Sequence, residues 1–128
     1  MSTNPPHAIS DLGQIALTVS DVGKAKEFYV GILGLKFLFD AGPNLAFASA
    51  GTVRIMFSTS QGAGEVGKNS VLYFKTNSLE AMYPAVVQKG ARAERAPQFT
   101  AKMPDHELWM AFVRDPDGNL VGLMEERR

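Results

Sequence analysis

Residues 14–37, with the sequence QIALTVSDVGKAKEFYVGILGLKF, contain the strongest structural signals in this chain. The opening run QIALTV is short and rich in β-branched side chains, which predicts a strand. Ser20 and Asp21 are typical N-cap residues, and the apolar side chains after them recur at helical spacing as far as Gly34, where a left-handed cap is expected. The stretch therefore predicts a strand that leads directly into an amphipathic helix of about three turns.

Three short strand candidates follow this helix, at residues 35–40, 45–50 and 53–58. Turn signals separate them at Gly42-Pro43-Asn44 and at Gly51. The next stretch is rich in Gly, Ser and small polar residues, which is typical of a linker. We therefore predict a first βαβββ module over residues 12–60 and a linker over 61–69.

The second half of the chain repeats the same pattern. A strand is predicted at 71–76, a helix at 79–90 and further strands at 91–95, 106–113 and 120–126, the last two joined by the turn sequence DPDGN. A shift of 57 residues places Gln14 on Val71, and both helices end on a glycine. Because the pattern recurs, we predict a second module over residues 70–126.

Pro84 conflicts with the second helix. A proline in a helix interior costs on the order of 3 kcal/mol, because it lacks the backbone N–H and clashes with the preceding turn. We therefore expect either a kink at Pro84 or a helix that starts later than the capping residues suggest.

Composition excludes several classes of protein. The 128 residues are 45% apolar and carry 13 basic and 13 acidic side chains, which is typical of one folded domain over 1–128 and gives nucleic acid no basic patch to bind. The absence of cysteine excludes disulfides, thiol nucleophiles and iron–sulfur clusters. The polar N-terminal residues lack the features of a signal peptide, and no apolar run reaches the roughly 18 residues of a membrane span, so we expect a cytoplasmic protein with no membrane partner.

These patterns resemble the vicinal oxygen chelate superfamily, which includes glyoxalase I, bleomycin-resistance proteins and extradiol dioxygenases. The resemblance spans residues 12–126 and depends on the two βαβββ halves together with three motifs: Val19-Ser20-Asp21 followed by Phe28-Tyr29, Leu33-Gly34-Leu35, and DPDGN at 115–119. It implies an α+β fold in which two modules form paired, curled mixed sheets around a cleft. It also implies a homodimer, since small members of this family often complete their clefts or cover their sheet edges with a partner.

The resemblance also implies four places for metal ligands, usually His, Gln or Glu. Gln14 occupies the first place and is a competent oxygen donor. On the last strand of the first half, residue parity puts Arg54 and Met56 toward the cleft, and neither suits a hard or borderline divalent ion. Val71 and Gly122 occupy the third and fourth places. Because three of the four ligands are missing, we expect no metal and no other cofactor.

Six residues are predicted to bind a ligand in the cleft. Arg54 is expected to be a buried cation in the cleft and therefore needs an anionic partner, which is either a ligand carboxylate or Glu125 or Glu126. His106 either donates into the mouth of the cleft or ends a strand, and Trp109 belongs either to the core or to the cleft. The predicted ligand-binding residues are Gln14, Arg54, Met56, Tyr73, His106 and Trp109.

The sequence thus favours a metal-independent protein, similar to glyoxalases and bleomycin-resistance proteins, that binds a small, partly apolar organic molecule. An anionic or carbonyl-bearing aromatic compound is the first ligand class to screen. One alternative is a glyoxalase-like lyase or isomerase, or a dioxygenase-related enzyme, with a metal site rebuilt from Gln14, His106, Glu107 and possibly Glu125. A second alternative is a protein interaction module with an unused cleft.

Overall fold

The computed structural model describes residues 7–59 and 64–128. Two four-stranded mixed sheets and their helices follow one another along the chain, so the predicted α+β fold of two βαβββ modules is confirmed. The first half contains β1 (Gln14–Thr18), α1 (Val22–Lys26), a π-helical segment (Glu27–Ile32), β2 (Lys36–Asp40), β3 (Leu45–Ala50) and β4 (Val53–Ser58). The second contains β5 (Leu72–Lys75), α2 (Leu79–Gln88), β6 (Arg92–Lys102), β7 (Glu107–Arg114) and β8 (Leu120–Arg127).

The two sheets have the same topology. The strand orders are β1-β4-β3-β2 and β5-β8-β7-β6, and in each sheet the first strand of its half runs parallel to the last. The predicted module bounds remain predictions, and residues 60–63, which include the start of the predicted linker, lie outside the described residues. No helix in the described part of the chain is long and apolar enough to cross a membrane.

The first helix lies where the sequence predicted it, but only its first part is α-helical. The Asp21 side chain accepts a hydrogen bond from the Lys24 backbone N–H at 3.0 Å and caps the N-terminus. The Leu33 N–H then donates to the Phe28 carbonyl, five residues back, at 2.9 Å. Gly34 follows with a φ of 86°, the left-handed conformation expected at the helix end.

The second helix begins at Leu79 and continues through Pro84, so the alternative of a late start is wrong. Two side chains satisfy backbone N–H groups of its first turn. Ser78 Oγ accepts from the Ala81 N–H at 3.3 Å, and Glu125 Oε1 accepts from the Leu79 N–H at 2.9 Å. These caps stabilise the first turn, and Pro84 lies on the exposed side of the helix.

The helices cover one face of the sheets and form a single core with them. Ile55 and Phe57 of β4 are 1% and 0% exposed, as residue parity predicted, and Leu79 and Leu123 of the second half belong to the same buried cluster. Since both halves contribute to one cluster, each stabilises the other through shared apolar burial.

The DPDGN turn joins the two halves. Asp115 is 1% exposed, and its carboxylate accepts hydrogen bonds from the Tyr29 hydroxyl at 2.8 Å and from the Asn119 N–H at 2.8 Å. Asp117 Oδ2 accepts from the Ser20 N–H at 3.0 Å. The sequence predicted these aspartates to be turn formers, and the structure shows that they also connect the first half of the chain to the second.

Candidate functional site

Each sheet has one face that the helices leave uncovered. On the first sheet we call this the first open face, defined by Gln14, Phe39, Phe47, Arg54 and Met56. Strand register places these side chains on one side, because Gln14 pairs with Arg54, Met56 with Phe47, and Phe47 with Phe39. Three of the predicted ligand-binding residues, Gln14, Arg54 and Met56, thus lie together.

Arg54 is held in place by its neighbours on this face. Its Nε donates a hydrogen bond to Gln14 Oε1 at 2.6 Å, and Gln14 Nε2 donates to Met56 Sδ at 3.7 Å. The guanidinium carbon lies 5.5 Å from the centre of the Phe47 ring, within the range of a cation–π contact. These contacts orient the guanidinium without neutralising its charge.

No carboxylate in the described ranges 7–59 and 64–128 forms an ion pair with Arg54. Glu125 Oε2 lies 3.0 Å from Arg127 Nε, and Glu126 Oε1 lies 3.3 Å from Lys75 Nζ. Both glutamates that the sequence offered as partners are therefore engaged elsewhere. Arg54 is also exposed, which corrects the expectation of a buried cation. Its charge is available to a ligand at little desolvation cost.

The second sheet has a comparable surface, which we call the second open face and define by Tyr73, Arg95, Phe112, Gly122 and Met124. Gly122 of β8 pairs with Tyr73 on one side and with Phe112 on the other. The rings of Tyr73 and Phe112 meet edge-on with centroids 5.9 Å apart, and the Arg95 guanidinium carbon lies 5.7 Å from the Phe112 ring. Tyr73 is 48% exposed, so much of its surface is open to a ligand.

The Tyr73 ring lies directly over Gly122. A Cβ atom at residue 122 would come within 2.4 Å of Tyr73 Cδ2 and 2.8 Å of Cε2, closer than real contacts allow. Only glycine leaves room for the ring in this position. Sequence reasoning selected Tyr73 but missed this dependence, and the available signal was a glycine in a strand opposite an aromatic residue.

The four family positions do not fit a divalent metal ion. The Gln14 carboxamide oxygen is bound to Arg54, and Met56 offers only a thioether. Val71 has no donor atom, and Gly122 has no side chain and is covered by Tyr73. In the described ranges, no group of three or more His, Asp or Glu side chains is placed to hold a metal.

The residues of the alternative metal site do not form one ligand group in the described ranges. Glu107 Oε1 accepts a hydrogen bond from Trp109 Nε1 at 3.1 Å, and Glu125 caps α2 through the Leu79 N–H. Gln14 is on the other sheet, bound to Arg54. The structure therefore does not assemble this ligand set.

His106 lies just before β7, at the end of the second sheet. Its side chain is 11% exposed, with Nδ1 2.6 Å from Asp105 Oδ1 and Nε2 3.8 Å from Glu126 Oε2. Glu126 follows Gly122 and Met124 at two-residue steps along β8, so it points to the second open face. The hydrogen bond from Lys75 holds the pKa of Glu126 below its ordinary value. His106 thus lies at the margin of the second open face, which it contacts only by way of the Glu126 carboxylate.

Trp109 lies on the opposite side of the second sheet. Its side chain points away from those of its neighbours Leu108 and Met110. It lies on the same face of the sheet as Ala111 and Val113, which are both 0% exposed. The Arg127 guanidinium carbon lies 3.9 Å from the indole ring centre. Of the two places that the sequence left open for Trp109, this one is on the helix side, packed against the core, and its role in ligand binding stays a prediction.

The two open faces are not joined within the chain. In residues 7–59 and 64–128, no hydrogen bond, ion pair or ring contact connects the first open face to the second. The contacts between the halves run elsewhere, as in the bonds from Tyr29 to Asp115 and from Ser20 to Asp117. Five of the six predicted site residues thus form two groups, Gln14, Arg54 and Met56 on one face, and Tyr73 with His106 at its margin on the other, whereas Trp109 belongs to neither.

Comparisons with known proteins agree with this architecture. Residues 11–123 match the family model described as the Glyoxalase/Bleomycin resistance protein/Dioxygenase superfamily. The uncharacterized protein YraH of Bacillus subtilis (strain 168) is 31% identical over an alignment of 124 positions, and this alignment covers 84% of this chain and 92% of YraH.

Several solved structures share the fold, among them the following two. TnmS3, an antibiotic binding protein from Streptomyces sp. CB03234, has a TM-score of 0.73 at 24% identity, over 93% of this chain and 98% of that one. An integron cassette protein from the mobile metagenome of V. cholerae has a TM-score of 0.75 at 24% identity, over 92% and 96% of the two chains.

Proposed function

The chain belongs to the glyoxalase/bleomycin resistance protein/dioxygenase superfamily, and from this premise we propose that it binds a small, partly apolar organic molecule without a metal ion. The observation that carries the proposal is Arg54, which is oriented by Gln14 and Phe47 but has no carboxylate partner in the described ranges. TnmS3, with the same fold, is an antibiotic binding protein, which supports small-molecule binding on this scaffold.

The chemistry of the first open face favours an anionic or carbonyl-bearing aromatic ligand. A guanidinium recognises a carboxylate through two parallel hydrogen bonds, and only its Nε is used by Gln14. The stacked rings of Phe39 and Phe47, with centroids 4.7 Å apart, offer apolar surface beside it. An exposed cation at this place disfavours a large cationic drug, and the balanced charge of the chain disfavours nucleic acid.

A homodimer is part of the proposal, because each open face leaves apolar side chains exposed. Phe39 is 47% exposed and Tyr73 is 48% exposed, because no other part of the described chain covers them. A second copy that covers these faces completes the cleft around the ligand. Light scattering is expected to give twice the chain mass of 13.9 kDa, and a mass near 13.9 kDa at micromolar concentration contradicts the dimer.

Calorimetric titration with benzoate, as the simplest aromatic carboxylate, tests the role of Arg54. Arg54→Met is expected to weaken binding at least about tenfold, because it removes a charge-assisted hydrogen bond. The melting temperature should hardly change, since an exposed side chain without an ion pair contributes little to stability. Lys89→Met, which removes an exposed cation at the end of α2 that forms no ion pair in the described ranges, is the matched control.

Two results contradict this proposal. One is unchanged benzoate affinity in Arg54→Met. The other is a loss of several kcal/mol of stability, which is typical when a buried, paired charge is truncated and leaves its partner alone. In that case Arg54 serves the folded structure rather than a ligand.

A further inference from the structure

A cavity lies on the helix side of the molecule, between the two halves of the chain. It is separate from the first and second open faces. Its volume is about 410 Å³, within the range of small-molecule sites. The first half contributes Lys24 and the π-helical segment, through Glu27, Phe28 and Ile32, and the second half contributes Arg92 and residues 114–116. π-Helical turns occur frequently at functional sites, and here such a turn forms one wall of the cavity.

Two cations of this cavity form no ion pair in the described ranges, although Arg92 is attracted by the more distant Glu94 carboxylate. The Arg92 guanidinium donates one hydrogen bond, from Nη2 to the Asp115 carbonyl at 3.3 Å, and forms no ion pair. Lys24 forms none either. By contrast, Arg114 is neutralised by Glu94, whose Oε1 lies 2.7 Å from Arg114 Nε. The unused charge of the cavity therefore resides on Arg92 and Lys24.

The acidic side chains of the lining do not cancel this charge. The Asp115 carboxylate points into the protein, where it accepts hydrogen bonds from the Tyr29 hydroxyl and the Asn119 side chain, each at 2.8 Å. Glu27 is the remaining carboxylate of the lining and forms no ion pair within residues 7–59 and 64–128. The cavity thus combines two free cations, one free carboxylate and the apolar side chains of Phe28 and Ile32.

We propose that this cavity is a second binding site, which takes a small organic phosphate. The phosphate dianion lies between Arg92 and Lys24, whose two charges match it, and the organic part packs against Phe28 and Ile32. Because Lys24 comes from the first half of the chain and Arg92 from the second, the ligand connects the two halves. The site is independent of Arg54 and of the function proposed above.

Phenyl phosphate is the probe, titrated calorimetrically into the full-length protein. Arg92→Gln and Lys24→Gln are each expected to weaken binding about tenfold, because each removes a charge-assisted contact. Glu27→Gln should tighten binding several-fold, since it removes the repulsive carboxylate. Lys102→Gln, which removes a cation remote from the cavity, should leave the affinity unchanged. Unchanged melting temperatures of the unliganded variants show that these losses come from binding and not from unfolding.

Three outcomes overturn the proposal. The first is no binding of phenyl phosphate at millimolar concentration. The second is equal weakening by Arg92→Gln and Lys102→Gln, which indicates attraction by general charge. The third is equal affinity for phenyl phosphate and inorganic phosphate, which excludes the apolar contact with Phe28 and Ile32.

Discussion

Replacing Gly122 by alanine tests the close packing of Tyr73 on the second open face. The new methyl group would lie 2.4 Å from Tyr73 Cδ2, 2.8 Å from Cε2 and 3.0 Å from Cγ, whereas ordinary contacts begin at 3.4 Å. The ring must therefore move away by about 1 Å. Gly122 does not have a positive φ, so the backbone itself accepts alanine without strain.

The expected loss of stability is about 1 kcal/mol. Overpacking in a close-packed site costs roughly 1–3 kcal/mol, and a cost of about 1.5 kcal/mol applies because Tyr73 is half exposed and lies on an edge strand. Alanine in place of glycine returns about 0.5 kcal/mol or slightly more, because glycine loses more conformational entropy in a strand. For a chain of 128 residues, a net loss of this size lowers the melting temperature by about 3–5 °C.

A double-mutant cycle in urea isolates the contact from other effects. Gly122→Ala should destabilise the wild-type protein by about 1 kcal/mol but stabilise Tyr73→Ala, in which the ring is absent, by about 0.5 kcal/mol, so the coupling energy is about 1.5 kcal/mol. Gly13→Ala is the control, because a Cβ there has no heavy atom of another residue within 4 Å. A coupling energy of zero, or equal effects of Gly122→Ala and Gly13→Ala, would refute the described position of Tyr73.

Three further predictions concern stability. Tyr29→Phe should lower the free energy of unfolding in urea by roughly 1.5–3 kcal/mol, because it removes a donor to the buried carboxylate of Asp115, whereas Tyr83→Phe should have little effect. Burial and the Asp115 carboxylate raise the pKa of Tyr29 above its ordinary value of 10.0, so its stabilising effect is complete below pH 10 and is lost above it. The difference in stability between wild type and Tyr29→Phe should therefore be smaller at pH 11 than at pH 8. Arg127 holds the pKa of Glu80 below its ordinary value of 4.5, so this pair stabilises the fold above about pH 4.5 and less as the pH falls further. Wild type should accordingly lose its advantage in melting temperature over Glu80→Gln on acidification, and an advantage that is constant from pH 7 to pH 3 contradicts this.

The local order of strands and helices could be predicted because neighbouring residues encode it. Asp21 caps the first helix and Gly34 ends it with a positive φ, both by interactions within a few residues. The alternation on β4 also sufficed to place Ile55 and Phe57 in the core. Each of the four metal-ligand places could be compared with the residue present in this chain, because the family resemblance implies where these places fall along the two βαβββ modules.

Other features could not be predicted because they depend on distant parts of the chain. From its local sequence Asp115 is predicted to be a turn residue. Its burial depends on a hydrogen bond from the Tyr29 hydroxyl, which lies 86 positions earlier in the sequence. Pro97 argues against a strand, yet β6 extends through it, and an edge strand tolerates the missing N–H. Parity showed that Trp109 faces away from Leu108, but only the position of α2 shows which face of the sheet is covered.

Gly122 links the absence of the fourth metal ligand to the presence of the aromatic surface. The family resemblance implies a metal ligand at this place, usually His, Gln or Glu, and any such side chain must pass through the space that the Tyr73 ring fills. A ligand at residue 122 and the ring over it therefore exclude each other. Replacing the missing ligands alone does not restore a metal site, because Tyr73 also has to leave its position. The second open face thus carries an aromatic ring at the place where the family resemblance implies a metal ligand.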